Sequence, residues 1–354
     1  MAERNDGMQL AQGVIIHAPK DLRIEPVPIA IPGPREVRVR IEYGGICGSD
    51  LHYYHNGGFG AVRLKQPMAL GHETAGTIDA VGCEVSGLKT GMRVALNPSC
   101  PCGACKFCRA GQRTHCLNMH YFGSAMRFPH AQGMFRQMLV LDEAQVFVIP
   151  ETLSMSEAAN AEPLSVALHA VRQAGSLVGK KVLVTGCGPI GALIVIAARY
   201  AGASEIVVTD ISDFPLQIAV GIGASSAINV ATEPDALSDF SADKGHFDVL
   251  FEASGNEMAF RSGLDTVRPC GRVVQLGLGG DMAVPINTIV TKELQLAGSF
   301  RFDEEFGYAV DLISKGLIDV KPVITGSLPF EQATDAFELA SDRARAMKVQ
   351  LIFA

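Results

Sequence analysis

Residues Lys181–Gly191 read KVLVTGCGPIG: a short apolar run, charged only at its entrance, then glycines at 186, 188 and 191. A strand, a tight turn and a helix are predicted, the helix over Ile190–Tyr200. Gly186 suits the tight turn, Gly188 lets backbone approach a pyrophosphate, and Gly191 lets the helix pack on the strand. The helix start supplies N–H groups and partial positive charge for phosphates. Asp210, 24 residues after Gly186, ends the next apolar run, Glu205–Thr209. A carboxylate there takes ribose hydroxyls and repels a 2′-phosphate. Ile211 and Ser212 follow it with no Arg, which favours NAD over NADP. The bland reading of the glycines is a plain α/β turn, and Asp210 weighs against it.

The alternation continues outward from this turn. Ser156–Ala174 precedes it with helical spacing. Asp213–Ile222 reads as helix, and Phe247–Phe251, Gly271–Gly277 and Leu294–Phe300 read as strands. Strands alternating with helices predict a doubly wound parallel sheet. The style differs before Ser154. Glu36–Tyr43, Thr74–Val81, Arg93–Leu96 and Ala144–Ile149 are β-like runs broken by Gly and Pro, which predicts an irregular antiparallel barrel. Phe302–Lys315 and Phe330–Ser341 read as helices, and Lys348–Phe353 as a terminal strand in the style of the first region.

At 354 residues the chain is too long for one compact core, so two domains are expected. A net charge of −7 without long basic runs argues against a nucleic-acid-coating protein. No run approaches the roughly 20 apolar residues of a membrane span, and Gly191–Ala198 reads as a buried helix. Met1–Met8 is polar, without an apolar targeting core, and reads as a frayed tail. Nine cysteines without a secretory signal point to a cytoplasmic protein with thiols or metal-bound thiolates.

Cysteine placement is more telling than the count. Cys102, Cys105, Cys108 and Cys116 can surround a tetrahedral zinc with no position left for water, which makes that site structural. Cys100, two residues upstream, reads as a bystander. A third signal is scattered: Cys47 in GGICGSDLHYY, His72 and Glu73 in LGHETAG, and Glu162 in AEPLSVALHA. One thiolate, one imidazole and two carboxylates suit a catalytic zinc. Each alone is more often a core or surface residue, and spacing does not show that they meet.

With GGICGSDLH, GHE, the four-Cys lobe, GCGPIG and the following Asp210, the chain resembles the zinc-dependent medium-chain dehydrogenases over nearly its whole length. CGSDLHYY, EPLSVALHA and SFRF are similar to the polyol branch, the sorbitol and xylitol dehydrogenases. FGSAMRFPHAQGMFRQ, LGLGGDM and AGSFRF are similar to the L-idonate 5-dehydrogenases. The resemblance implies a GroES-like β-rich catalytic domain over 1–159 and 300–354, and a Rossmann domain over 160–299. It implies two zinc ions per chain and NAD, with NADP the less favoured cofactor.

It also assigns roles. Cys47, His72 and Glu73 match catalytic zinc positions, and Glu162 matches an acid that ligates directly or through water. Asp50 matches a carboxylate that orients the His ligand. Ser49 and His52 match proton-relay positions, and Tyr53, Glu162, Arg301 and Phe302 match substrate positions. Pro189 and Ile190, Leu276, Gly277 and Leu278, and Ser299, Phe300 and Arg301 match cofactor contacts. Pro215 stands where the polyol branch often carries an Arg.

The implied reaction is reversible oxidation of a secondary alcohol, with hydride passing to the nicotinamide in a cleft between the domains. The proton would leave through Ser49 and His52, or through water held by Glu162. L-idonate going to 5-ketogluconate is the leading substrate reading, with sorbitol or xylitol as the alternative. Arg301, with Arg127, is the candidate for an anionic end. Two readings compete: a zinc-free reductase, and a nucleic-acid binder using Lys106, Arg109 and Arg113 on the cysteine lobe. A solvated lobe surface is the plainer account of those charges. No membrane or nucleic-acid partner is expected. Leu294–Phe300 offers an edge for pairing two copies, so a homodimer or homotetramer is expected.

Overall fold

The computed structural model describes residues 9–353, so the tail expected over Met1–Met8 lies outside the described residues. The chain divides into two compact units. The first runs through Glu162 and takes back Gly326–Glu338 and the residues from Val349 onward. The second holds Pro163–Thr325 and Leu339–Lys348. The chain therefore leaves the second unit at Thr325, later than the boundary at residue 300 drawn from sequence. The helix Glu305–Ser314 is the reason: its buried face, Phe306, Ala309, Val310 and Ile313, belongs to the second unit.

The first unit is built on a seven-stranded sheet. Its central strand, Glu36–Gly45, pairs antiparallel with Glu73–Val81 and with Met138–Asp142. The terminal strand joins here too, with Gln350, Leu351 and Ile352 opposite Gly45, Gly44 and Tyr43. Alternation in EVRVRIEY buries Val37, Val39 and Ile41 on one face, as period-2 patterning requires.

The second unit is a six-stranded parallel sheet. Its order is Ser226–Asn229, Glu205–Asp210, Lys181–Thr185, Phe247–Glu252, Val267–Gln275, Gln295–Gly298. In chain order this is 3-2-1-4-5-6, the doubly wound arrangement of dinucleotide-binding sheets. Leu183, Val207, Phe247, Leu250, Phe260 and Val273 form one buried cluster. The helix Pro189–Tyr200 begins at a Gly188 N-cap with Pro at its first position, where a missing N–H costs nothing. All of Gly191–Ala198 is buried.

Several elements depart from the sequence reading. The helix expected over Ser156–Ala174 is two: Met155–Ala158 and Ala161–Ala174. Ser154 caps the first, its Oγ accepting from Glu157 N at 3.2 Å, and Asn160 Nδ2 donates to the Ser156 carbonyl at 2.9 Å. Pro163 forces the break, because inside one helix its ring would meet the carbonyl four residues back. In the first turn of a new helix it is tolerated. The strand expected over Ala144–Ile149 shortens to Val146–Val148, because Asp142 caps a 3₁₀ turn before it. Phe330–Ser341 likewise opens with a 3₁₀ turn before the helix Ala333–Ser341. Among the described residues no helix is long and apolar enough to cross a membrane.

Candidate active site

Strand register explains how Cys47 and His72 meet. Gly45 lies opposite Glu73 across the antiparallel pair. Cys47 sits two residues past Gly45, and His72 one before Glu73, so both emerge at the same end of the sheet. A Cβ on Gly45 would strike the Glu73 carboxylate. The ligand atoms of Cys47, His72 and Glu73 lie within 4.8 Å of one another. Asp50, fully buried in the helix Gly48–Asn56, ties the two segments together. It accepts from Cys47 N at 3.0 Å and from Gly71 N at 3.1 Å.

The electrostatics ask for a cation here. His72 Nδ1 is buried without a hydrogen-bond partner, 3.9 Å from Asp50 Oδ1. Burial opposes a charge on His72, yet Asp50, Cys47 and Glu162 together hold its pKa well above the usual value. Burial raises the Asp50 carboxyl against the pull of His72. One sulfur, one nitrogen and one oxygen donor around an electron-rich buried point fit zinc. Glu162, 4% exposed, stands outside the group of three. The break before Pro163 puts it in the first turn of Ala161–Ala174, where its Oε1 accepts from Tyr121 Oη at 2.5 Å. The Tyr121 ring lies 5.8 Å from that of His72. Nothing in the sequence spacing around Tyr121 flags it.

The second cluster is local. All four lobe sulfurs lie within 4.8 Å of one another, with Cys105–Cys108 at 3.6 Å and Cys105–Cys116 at 4.0 Å. Sulfurs on a tetrahedral zinc stand about 3.8 Å apart, whereas a disulfide needs about 2.05 Å. N–H groups of Ala104 and Cys105 draw Cys102 down to about 6, and burial pushes Cys108 up to about 12. Thiols packed this closely ionise together only around a cation. Cys100 is left out, in a two-residue strand opposite His120.

The glycine turn in the second unit has the expected form. Gly186 has φ +85°, and a Cβ there would lie 2.7 Å from Ser254 N. A Cβ on Gly191 would strike the Gly186 carbonyl, whereas one on Gly188 would meet nothing within 4 Å. The backbone is thus open at Gly188, where a pyrophosphate needs room. Asp210 is 8% exposed and already accepts three backbone N–H groups: Cys187 at 2.7 Å, Ile211 at 2.7 Å and Ser212 at 3.1 Å. Leu276 and Gly277 N–H groups both donate to the Glu252 carbonyl. Gln275 Oε1 and Ser299 Oγ are buried without partners at the carboxyl ends of the last two strands. Orphaned polar atoms at strand ends fit a dinucleotide.

The remaining expected residues fall variously. Ser49 and His52 sit one helical turn apart, and exposed His52 packs at 5.7 Å on Phe59. Tyr53 is 1% exposed, its Oη accepting from Ala125 N at 2.9 Å, so it anchors the loop after Tyr121. Phe302 is equally buried, 5.8 Å from Phe306, within a packed core. Pro189 and Ile190 open the helix after the glycine turn, and Leu278 is exposed. Arg301 has φ +54°, its guanidinium 5.0 Å above the Phe300 ring. Both aromatic burials are tertiary facts that local spacing does not encode.

Comparisons with known proteins agree with this geometry. Residues 33–151 match the family described as Alcohol dehydrogenase GroES-like domain, and 189–315 match Zinc-binding dehydrogenase. The chain is 43% identical to L-idonate 5-dehydrogenase (NAD(P)(+)) of Escherichia coli, over 89% of this chain and 91% of that one. It is 36% identical to human sorbitol dehydrogenase, over 92% and 91% respectively. The crystal structure of the Escherichia coli L-idonate 5-dehydrogenase superposes with a TM-score of 0.92 at 40% identity, covering 98% of this chain and 99% of that one. The β-rich unit is GroES-like, the parallel unit is a Rossmann domain, and the chain belongs to the zinc- and NAD(P)-dependent medium-chain dehydrogenases, in their polyol branch.

Proposed function

We propose that this enzyme oxidises a secondary alcohol of a sugar acid, with L-idonate going to 5-ketogluconate. The carrying observation is the placement of Arg127. The loop that bears it leaves Gly123, whose backbone abuts Gly71, the residue before His72; a Cβ there would lie 2.7 Å from the Gly71 carbonyl. Ser124 and Ala131 close the loop by backbone hydrogen bonds, and Tyr53 Oη holds Ala125. His130 Nδ1 donates to the Arg127 carbonyl at 2.9 Å while its Nε2 accepts from Lys65 N at 2.8 Å. The loop is therefore braced at both ends. Exposed Arg127 has no carboxylate within ion-pair distance among the described residues. It lowers the His120 pKa, second to burial, which places its charge near the strand residue beside Tyr121. A guanidinium carried on a loop whose backbone is braced beside the residue before His72 suits a carboxylate at the far end of a sugar chain.

Cys47, His72 and Glu73 would hold a zinc ion, which supplies charge stabilisation to an alcohol oxygen. Tyr121 and Asp50 keep the surrounding carboxylate and backbone groups in place. Ser49 and His52 would pass the hydroxyl proton outward while hydride leaves the carbinol carbon for oxidised nicotinamide. Glu162 would orient the substrate or hold a water. Oxidation of sorbitol or xylitol is the second reading, supported by the human relative. A homodimer or homotetramer is also part of the proposal: Gln295–Gly298 is an unpaired sheet edge with Leu296 exposed, and a solution mass measurement tests it.

The test is a panel of L-idonate, D-gluconate, sorbitol and xylitol, followed by NADH and NADPH formation. L-idonate should give the highest kcat/KM. Arg127→Ala should lower it about 10- to 100-fold for aldonates and under about threefold for sorbitol. A preference for sorbitol, or equal losses on every substrate, would overturn the sugar-acid reading.

A further inference from the structure

Residues 299–304 join the last strand of the parallel sheet to the helix Glu305–Ser314. They include Ser299, Phe300 and Arg301, read above as cofactor contacts. Arg301 has φ +54°, a left-handed conformation that a residue with a Cβ disfavours and that persists only where its surroundings enforce it. The segment is pinned at both ends. At its start, Ser299 N donates to the Gln275 carbonyl at 2.9 Å. At its far end the Glu305 side chain turns back, and its Oε2 accepts from Asp303 N at 2.8 Å. Its Oε1 accepts from His169 Nδ1 at 2.9 Å and from Arg172 Nη1 at 3.1 Å, both on the helix Ala161–Ala174. Gln173 Nε2 donates to His169 Nε2 at 3.2 Å, which leaves the imidazole proton on Nδ1, facing Glu305. All of these residues lie in the second unit.

A helix start does not need this arrangement, because a Ser or Asp at the surface caps one. Glu305 is instead 2% exposed. Burial opposes its charge, yet His169 and the N–H groups of Asp303 and Glu305 hold its pKa down at about 2. A buried carboxylate is tolerated where its oxygens are paired. Here one oxygen serves a distant helix and the other serves the turn.

We infer that Glu305 is a positioning residue for the nicotinamide end of the cofactor: its carboxylate braces the turn after the last strand against the helix Ala161–Ala174 and so fixes Ser299 and Arg301 where the dinucleotide meets them. The inference rests on the reading of residues 299–301 as cofactor contacts. Ser299 Oγ is buried without a hydrogen-bond partner, so a shift of this turn moves an available polar atom. Sheet order says which half of the cofactor is affected. Asp210 ends the second strand of 3-2-1-4-5-6 and Ser299 follows the sixth, on opposite sides of the glycine turn after the first. The two halves of such a sheet take the two nucleotides, so adenosine at Asp210 puts nicotinamide toward Ser299.

The experiment is calorimetric titration of the zinc-loaded protein with NADH and with ADP-ribose, which lacks the nicotinamide. Glu305→Met fills the space without offering an acceptor to Asp303 N. It should weaken NADH about tenfold and ADP-ribose less than about twofold, and Glu305→Ala should do the same. Glu305→Gln should stay within about threefold of wild type on both ligands. Its amide oxygen still accepts from Asp303 N while its NH2 donates to the other tautomer of His169. Ser299→Ala and Arg301→Ala mark the underlying reading, each with an NADH loss of about threefold or more. A Glu305→Met loss equal on both ligands shows a merely structural role and overturns the inference. So does a Glu305→Gln loss as large as that of Glu305→Met. Normal NADH binding in Glu305→Met beside losses in Ser299→Ala and Arg301→Ala overturns the inference alone. Normal NADH binding in all three overturns the cofactor reading of the turn, and the inference with it.

Discussion

The two metal-ligating clusters are built in opposite ways. The four-cysteine lobe draws every donor from Cys102–Cys116, partly at the surface, with two short helical turns, Lys106–Arg109 and Arg113–His115, along it. The Cys47, His72 and Glu73 cluster draws its donors from a helix start and a strand start, brought together by the register of Glu36–Gly45 on Glu73–Val81. In the lobe the loop is held by its donors together with short-range backbone hydrogen bonds and the Phe107–His115 ring contact. In the other site the sheet and the Asp50 carboxylate hold the donors whether or not an ion joins them. On the proposed function, an ion in the lobe would contribute to folding and an ion at Cys47 to chemistry.

The largest expected effect separates the two roles. Cys47→Ser should cut turnover to below about one part in a thousand and remove about one of two zinc equivalents, with melting temperature nearly unchanged. Near-normal kcat, or a collapse of the fold, would erase the contrast. Cys105→Ser should do the reverse. Its melting temperature should fall by about 5–10 °C, while the surviving folded enzyme keeps its kcat. An unchanged melting curve would mean that the lobe gains nothing from its ion. Asp50→Asn sharpens the comparison with a smaller effect. Its amide keeps the shape but turns a donor toward Cys47 N or Gly71 N, leaving a buried N–H unsatisfied at a cost of about 1–3 kcal/mol. Zinc affinity at the Cys47 site alone should fall about 10- to 100-fold. Metal titration against a competing chelator checks this, and an unaltered affinity would show that Asp50 merely fills space.

The same contrast explains what was readable from sequence. The cysteine lobe and the glycine turn are local, so spacing alone reveals their chemistry. Asp210 is legible because strand length fixes its distance from Gly186. Cys47, His72 and Glu73 stand apart as three weak signals, and only family resemblance joined them before the sheet register did. Tyr121, which holds Glu162, and Arg343, which meets Ser212, depend on contacts between distant segments that no local pattern encodes. The helix break was within reach: Pro163 four residues after Ala159 could not sit in the interior of a continuous helix. Apolar periodicity through Ser156–Ala174 masked it. Tyr53 and Phe302 are almost fully buried, which resemblance, aligning positions alone, does not report.

Asp50 has a further consequence for how this enzyme can be handled. One carboxylate gripping the backbones of both Cys47 and Gly71 keeps the donor cage assembled while its contents change. Such a cage permits ion swapping in the native state. Mild chelation followed by cobalt(II) should replace the ion at Cys47 and leave the cysteine lobe loaded. Cobalt bound through one thiolate, one imidazole and one carboxylate would absorb visible light. The protein would then carry a coloured reporter at the site proposed for alcohol oxidation, readable during turnover without any added label.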